Sequence, residues 1–172
     1  MKLKAIVVAA ALVILAACGQ PYRATSSSVV IAPDAIQTSF ATQYPGALNV
    51  VWTNYDPTID PMIDWELAGW DVMDASDYVV RFDMNGDKYY AWYDNNGDWV
   101  GTAYVVTDYK TLPSSVTATL NSQFGDYTIT KVEREFHKDR VAYEVVLHRS
   151  SDDAKIKLLV DANGNIIRQK TK

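Results

Sequence analysis

The sequence predicts an α+β fold built as a tandem repeat, in which each copy is one helix followed by a four-stranded antiparallel sheet. Two helix-like segments align at a constant offset of 80 residues, and segments with alternating apolar residues follow each of them. Short turn motifs separate those segments. The 172 residues, 48% hydrophobic and 22% charged, have globular composition, and the net charge of −5 argues against nucleic acid as a partner.

Residues 1–17 are typical of a lipoprotein signal peptide. Two lysines precede an uncharged apolar run, which is too short to span a bilayer because a span needs about 20 residues. The run ends in Leu-Ala-Ala-Cys, which resembles a bacterial lipobox and predicts lipid attachment at Cys18. Cys18 is the only cysteine and cannot form an internal disulfide, which favours this interpretation over an ordinary secretory signal.

The predicted lipid anchor indicates the cellular location of the protein. Residues 18–29 form a polar, flexible tether between the lipid and the folded part. We therefore expect a protein of the bacterial cell envelope that is attached to the membrane through Cys18 and faces the periplasm, at the outer rather than the inner membrane.

A helix opens each copy of the repeat. Residues 33–44 and 113–124 both begin with proline, whose missing N–H costs nothing at a helix start. Apolar residues recur at i, i+4 and i+8 and predict one buried stripe on each helix. These residues are Ile36, Phe40 and Tyr44 in the first copy and Val116, Leu120 and Phe124 in the second. The copies extend over 30–107 and 108–172.

Period-two patterning predicts four strands after each helix. They cover 49–55, 78–84, 87–93 and 99–106 in the first copy, and 128–136, 140–149, 155–160 and 165–169 in the second. Asp-x-Asn-Gly motifs at 83–86, 94–97 and 161–164 predict hairpin turns rather than calcium loops, since no glutamate follows at the position that an EF-type loop requires. Whether the two sheets join edge to edge stays open.

Several of these features together resemble a known family. The chain has a Pro-led helix ending in Tyr-Pro-Gly, a strand with Val-Val-Trp at 50–52, and strand pairs closed by Asp-x-Asn-Gly. This combination resembles the PepSY-like lipoproteins of Bacteroidetes, which are also described as β-lactamase-inhibitor-like. The resemblance extends from about residue 30 to residue 169. It implies a non-enzymatic envelope protein that binds or inhibits another protein, without catalytic residues or cofactor.

Alternation along the strands assigns side chains to two faces of the sheet. The helix-facing side of the first copy takes Tyr78, Val80, Phe82, Tyr89, Ala91 and Tyr93. The opposite face collects Arg81, Lys88, Tyr90 and Trp92, and in the second copy Leu159. Large aromatic side chains beside an arginine are typical of interface anchors. Two interpretations stay open: the aromatic residues contact a partner, or they pack against the rest of the protein.

The first copy carries an insertion of 13 residues within 57–76. An insertion confined to one copy is a loop, and loops often carry binding functions. Trp65 and Trp70 either join the partner surface as a lip over the sheet or fold back as a local hairpin with a small core. For Met62, Ile63 and Val72 we expect the local core.

The sequence holds no serine-nucleophile motif, no zinc-protease motif and no phosphate loop. His137 and His148 lack metal-ligand spacing, and for His148 with Glu144 we expect a solvated pair.

We therefore expect no catalytic residue, no metal and no cofactor. The expected function is that of a non-enzymatic envelope lipoprotein that binds a protein or another envelope ligand. The expected binding residues are Arg81, Tyr90, Trp92, Trp65 and Trp70. The first alternative is a structural or chaperone-like periplasmic module without a discrete site. The second is a hydrolase that uses carboxylates.

Overall fold

All eight strands form one antiparallel sheet in chain order, from β1 at one edge to β8 at the other. The computed structural model describes residues 28–58 and 62–171. The predicted signal peptide 1–17, Cys18 and most of the tether 18–29 lie outside these residues. The first half of the chain contains α1 (Asp34–Gln43), β1 (Leu48–Asn54), α2 (Trp65–Ala68), β2 (Tyr78–Met84), β3 (Asp87–Tyr93) and β4 (Trp99–Val105). A 3-10 turn (Tyr109–Thr111) leads to α3 (Ser114–Gln123), β5 (Thr128–His137), β6 (Arg140–Arg149), β7 (Ala154–Asp161) and β8 (Ile166–Thr171).

The predicted α+β class and antiparallel strands are confirmed. The sheets of the two halves are continuous, because β4 pairs with β5 from Thr102 opposite Phe136 to Val105 opposite Glu133. The predicted strands agree with the observed ones within two residues at each end. Of the two interpretations of the insertion, the local hairpin is wrong, since the described residues of the insertion contain the four-residue helix α2 and no strand.

The helices α1 and α3 both pack on one face of the sheet and form a core with each half. Ile36 and Phe40 of α1 lie against Trp52, Val80 and Phe82. On α3, the buried residues Val116 and Leu120 belong to a core with Val132, Val145, Leu147, Leu158 and Val160. Burying each such side chain contributes about 1.5–3 kcal/mol, so this face of the sheet is committed to packing. Any binding surface on the sheet must lie on the opposite face.

The Asp-x-Asn-Gly segments form turns as predicted. Asp94 Oδ1 accepts hydrogen bonds from the backbone N–H groups of Asn96 and Asp98, at 2.9 and 2.8 Å. Asp161 makes the corresponding bonds in the second half, and hydrogen bonds from Asn165 hold its pKa below the usual range. Gly97 has a φ of +95°, a conformation that glycine adopts without strain. These aspartate oxygens are occupied in stabilising their own turns.

Candidate functional site

The sheet face opposite α1 and α3 is divided into a covered part and an uncovered part. The insertion crosses this face from β2 toward the other edge, and its helix α2 lies against β7 and β8. The insertion therefore covers this face from Trp92 of β3 to β7 and β8, and the face stays open where β1, β2 and β3 carry Val51, Arg81 and Tyr90.

A cluster of three tryptophans joins the insertion to the first half of the sheet. Trp92 of β3 is 3% exposed and Trp70 of the insertion 5% exposed. Their ring centroids lie 5.6 Å apart, and Trp65 lies 5.8 Å from Trp92 and 5.6 Å from Trp70. All three pairs have the edge-on geometry that aromatic quadrupoles favour. Of the two interpretations of Trp92 and Trp70, the structure has the packed one.

The strands beneath the cluster supply small residues that let the insertion approach. A Cβ at position 101 would overlap the ring of Trp70, so only glycine fits there. Leu67 of α2 packs on Ala142 and Leu159, and Leu159 is therefore buried although it lies on the face away from the helices.

The three insertion residues for which we expect a local core differ in burial. Ile63 is buried and Met62 packs against the cluster, as expected for a local core. Val72 is 99% exposed, so its expected burial is wrong. The buried neighbours Trp70 and Met73 fill the cluster, and the side chain of Val72 points away from it.

Two arginines of the second half hold the C-terminal end of α2. Arg140 Nη2 donates a hydrogen bond of 2.7 Å to the carbonyl oxygen of Ala68. Arg168 Nη1 donates to the carbonyl oxygens of Glu66 and Leu67, at 2.9 and 3.3 Å. The last carbonyls of a helix have no partner within the helix and carry partial negative charge. The guanidinium groups thus satisfy groups that a four-residue helix would otherwise leave unpaired.

An ion-pair network holds the N-terminal end of α2. The backbone N–H of Asp64 donates to Glu144 Oε2 at 2.8 Å, and Asp64 Oδ1 accepts from Leu67 N at 3.2 Å. Lys157 Nζ lies 3.2 Å from both Asp64 Oδ2 and Glu144 Oε1. Burial raises the pKa of Asp64, but the bonds from Leu67 and Lys157 outweigh it and leave that pKa below its ordinary value. Asp64 therefore stays ionised as the cap of α2.

Three glutamates lie buried beneath or beside the insertion, and the sequence analysis did not single them out as a cluster. Glu133 and Glu135 alternate along β5, and Glu133 is paired in register with Glu144 of β6. Desolvation raises the pKa of Glu133 to about 7, although Lys131 Nζ lies 2.8 Å from its Oε1 and lowers the pKa in part. Desolvation and the nearby Glu144 raise the pKa of Glu135 to about 9.

The expected pair of His148 with Glu144 is wrong. His148 Nε2 lies 2.7 Å from Asp153 Oδ1 in the β6–β7 turn, while Glu144 is buried and bonded to Asp64 and Lys157. Alternation within β5 was the available signal for a buried acid cluster, since Glu133 and Glu135 point to the same face. Their burial depends on the insertion, which no local pattern reports.

The uncovered part of the face brings together Arg81 and Tyr90, two of the five predicted binding residues. They line a shallow depression of about 310 Å³ together with Lys88 and Val51. Arg81 and Lys88 are exposed, and Leu48 beside them on β1 is 66% exposed. We call Leu48, Val51, Arg81, Lys88 and Tyr90 the open patch. The other three predicted residues, Trp65, Trp70 and Trp92, lie in the adjoining tryptophan cluster.

Comparison with known proteins agrees with this architecture. A family model described as "Putative beta-lactamase-inhibitor-like, PepSY-like" matches residues 76–168. The chain belongs to this PepSY-like family. No curated protein matches the chain. The described part of this PepSY-like protein, residues 28–58 and 62–171, contains no helix with the length and apolar character of a membrane span.

Solved structures share the fold at low sequence identity. A DUF2874 family protein from Bacteroides uniformis is 22% identical with a TM-score of 0.63, over 82% of this chain and 90% of that one. A BLIP-like protein from Bacteroides fragilis is 17% identical with a TM-score of 0.64, over 83% and 87%. A protein from Bacteroides eggerthii, described as "putative periplasmic", is 19% identical with a TM-score of 0.62, over 83% and 90%. These likenesses show the fold of the PepSY-like protein.

Proposed function

We propose that this PepSY-like protein is a non-enzymatic lipoprotein of the cell envelope that binds an acidic segment of another protein through the open patch. One observation carries the proposal. The open patch places two exposed cations, Arg81 and Lys88, around the half-buried ring of Tyr90. Asp83 also lines the depression opposite Lys88, but its Oδ2 accepts a hydrogen bond of 2.6 Å from Asn49 Nδ2, and neither cation forms an ion pair with it or with any other of residues 28–58 and 62–171.

The composition of the open patch indicates the kind of partner. Tyrosine and arginine are the residue types that most often dominate the energy of protein interfaces. Leu48 and Val51 add apolar surface on the same side of β1, because they lie opposite Asp83 and Arg81 of β2. The chain as a whole has a net charge of −5, which repels acidic molecules. The two cations of the open patch reverse the sign of the charge locally, so this surface attracts the carboxylates of a partner.

The path of the chain near β1 fits the proposed anchor at Cys18. Val29 bridges Thr53, and Val30 N donates to Trp52 O at 3.0 Å, so the chain enters along the free edge of β1. Ser28 lies by Asn54 and Pro57, so the predicted tether joins the folded part at the end of β1 that leads into the insertion, opposite the end that carries Leu48. A structural neighbour described as "putative periplasmic" supports the proposed location. The order of one helix and four strands, present twice, supports the proposed tandem repeat.

Site-specific photo-crosslinking in cells tests the proposal. We expect a photoreactive phenylalanine at Lys88 of the full chain to give a discrete crosslinked partner, because Lys88 lies at the edge of the open patch. Arg81→Glu in the same chain should abolish that product, since it reverses the charge that faces the acidic partner. The control position is Lys110, an exposed residue of the 3-10 turn.

Two outcomes contradict the proposal. The same products at Lys88 and Lys110 would indicate chance encounters, and a product that survives Arg81→Glu would show that the charge of the open patch is not used. If the photoreactive residue at Lys88 gives no product in a folded protein, the result favours the alternative of a structural or chaperone-like module without a discrete binding site. The burial of Trp70 and Trp92, with the half-buried Trp65 packed against both, is the observation that favours this alternative for the covered part of the face.

A further inference from the structure

The insertion is held to the sheet by side-chain contacts, namely an apolar core with Trp92 and Ala103 and a set of polar contacts, and it adds no strand to the sheet. Its helix α2 has four residues and is far too short to be stable alone. The polar contacts that hold it come from side chains of the second half, namely Arg140, Glu144, Lys157, Arg168 and Lys170. None of the pairings between neighbouring strands of the sheet passes through the insertion. The insertion is thus a separate layer.

The surface beneath this layer carries polar groups without partners. Neither carboxyl oxygen of Glu135 has a hydrogen-bond partner among the described residues, and the indole N–H groups of Trp65 and Trp70 have none there either. Buried unpaired polar groups regain hydrogen bonds to water when they are exposed. While Glu135 is ionised, the closed arrangement therefore has a cost that opening relieves.

Glu135 is the most isolated of the buried acids. Its side chain is 1% exposed and stands in register between Ala103 of β4 and Ala142 of β6, two residues that offer it no hydrogen bond. The charged groups that act on it are Glu133 of its own strand and Arg140 and Glu144 of β6, and His137 lies on the same face of β5. Glu144 is in turn bonded to Asp64 of the insertion and to Lys157 of β7.

The cations of this region are already engaged. Arg140 donates to Ala68 O, Lys157 is shared between Asp64 and Glu144, and Lys131 lies against Glu133. A negative charge on Glu135 would therefore face Glu133 and Glu144 in a dry environment, and the charge of Arg140, which lowers the pKa of Glu135, does not outweigh burial and these two carboxyl groups. With a proton, Glu135 can instead donate a hydrogen bond to Glu144.

We propose that residues 62–76 of the insertion are a cover that closes over the sheet when Glu135 carries a proton and opens when Glu135 loses it. Opening exposes the tryptophan cluster beside the open patch. This inference is independent of the proposed partner and of the lipid anchor, since it depends only on residues within the folded part.

The direction of the pH dependence follows from the raised pKa of Glu135. The ordinary pKa of a glutamate is 4.5, and the closed state raises it to about 9. Closure is therefore fully favoured below pH 4.5 and is lost as the pH rises toward 9. Glu133, with its pKa of about 7, acts in the same direction between pH 4.5 and 7.

Hydrogen exchange of the full chain at pH 6 and pH 9, corrected for intrinsic exchange rates, tests the cover. The amides to follow are those of Asp64, Ala68 and Gly69, which are hydrogen-bonded in the closed state. We expect their protection to fall by about tenfold or more between the two pH values, while amides of β7 keep theirs. In Glu135→Gln, whose amide can donate to Glu144 as the protonated acid does, protection should persist at pH 9.

The control is Asp34→Asn, an equal change of charge on an exposed residue of α1 on the other face of the sheet. In Asp34→Asn, the amides of Asp64, Ala68 and Gly69 should lose protection between pH 6 and pH 9 as they do in the parent protein. Unchanged protection of the parent at pH 9 would overturn the proposal, and so would an equal loss in β7 or in a folded Glu135→Gln. The comparison of the insertion with β7 needs no variant, so it decides the question even if Glu135→Gln does not fold.

Discussion

Trp92→Ala is expected to destabilise the protein by about 4 kcal/mol, since truncation of a fully buried tryptophan typically costs about 3–5 kcal/mol. Trp92 is 3% exposed and contacts Trp65 and Trp70 of the insertion edge-on. Its removal leaves a cavity between the sheet and the insertion that the rigid strand β3 cannot fill. Urea unfolding of the parent and the variant measures the difference.

Val72→Ala provides the matched control within the insertion. Val72 is 99% exposed, so its truncation should change the free energy of unfolding by less than about 0.5 kcal/mol. A change of less than about 1 kcal/mol for Trp92→Ala would contradict the structure, because it is the result expected of a tryptophan on an uncovered face.

Lys157→Met is expected to destabilise the protein by about 3 kcal/mol, because loss of one partner of a buried ion pair typically costs about 3–5 kcal/mol. Lys157 is the cation shared by Asp64 and Glu144, and Glu144 is 1% exposed. Without Lys157, two carboxylates face each other at the N-terminal end of α2. Thermal or urea unfolding at pH 7 measures the effect.

Two further variants identify the cause of that loss. Lys138→Met removes an exposed lysine that lies 3.8 Å from exposed Asp71, and it should cost less than about 1 kcal/mol. Glu144→Gln combined with Lys157→Met removes the stranded charge as well and should recover part of the stability. If the double variant is as unstable as the sum of both single variants, the two residues are not coupled and the network is contradicted.

The elements of the fold that local pattern determines were predictable. Ile36 and Phe40 at helical spacing, and Val80, Phe82 and Ala91 at strand spacing, all lie in the predicted core. Period-two alternation is a local property, so the strand limits agree closely with the structure. The continuity of the sheet was not predictable, because the pairing of β4 with β5 depends on how the two halves meet rather than on either strand alone.

The candidate site was only partly predictable for a related reason. Alternation placed Arg81, Tyr90 and Trp92 on one face correctly, but the insertion decides which of them is covered. Its position depends on contacts distant in sequence, such as that of Asp64 with Lys157, 93 residues apart. Helix α2 has four residues, too few for an apolar period to be visible. Alternation along β5 shows only that Glu133 and Glu135 share a face, whereas the burial of Glu135 depends on the position of the insertion.

The insertion covers the tryptophan side of the sheet and leaves the open patch exposed, and this arrangement is accessible to measurement. Fluorine NMR of the protein labelled with 5-fluorotryptophan tests it most directly, with Trp92→Phe and Trp70→Phe used to assign two of the five tryptophan resonances. At pH 6 the resonances of Trp92 and Trp70 should not shift when H2O is replaced by D2O, because water does not reach either ring. A solvent shift of the Trp92 resonance equal to that of free 5-fluorotryptophan would contradict the account.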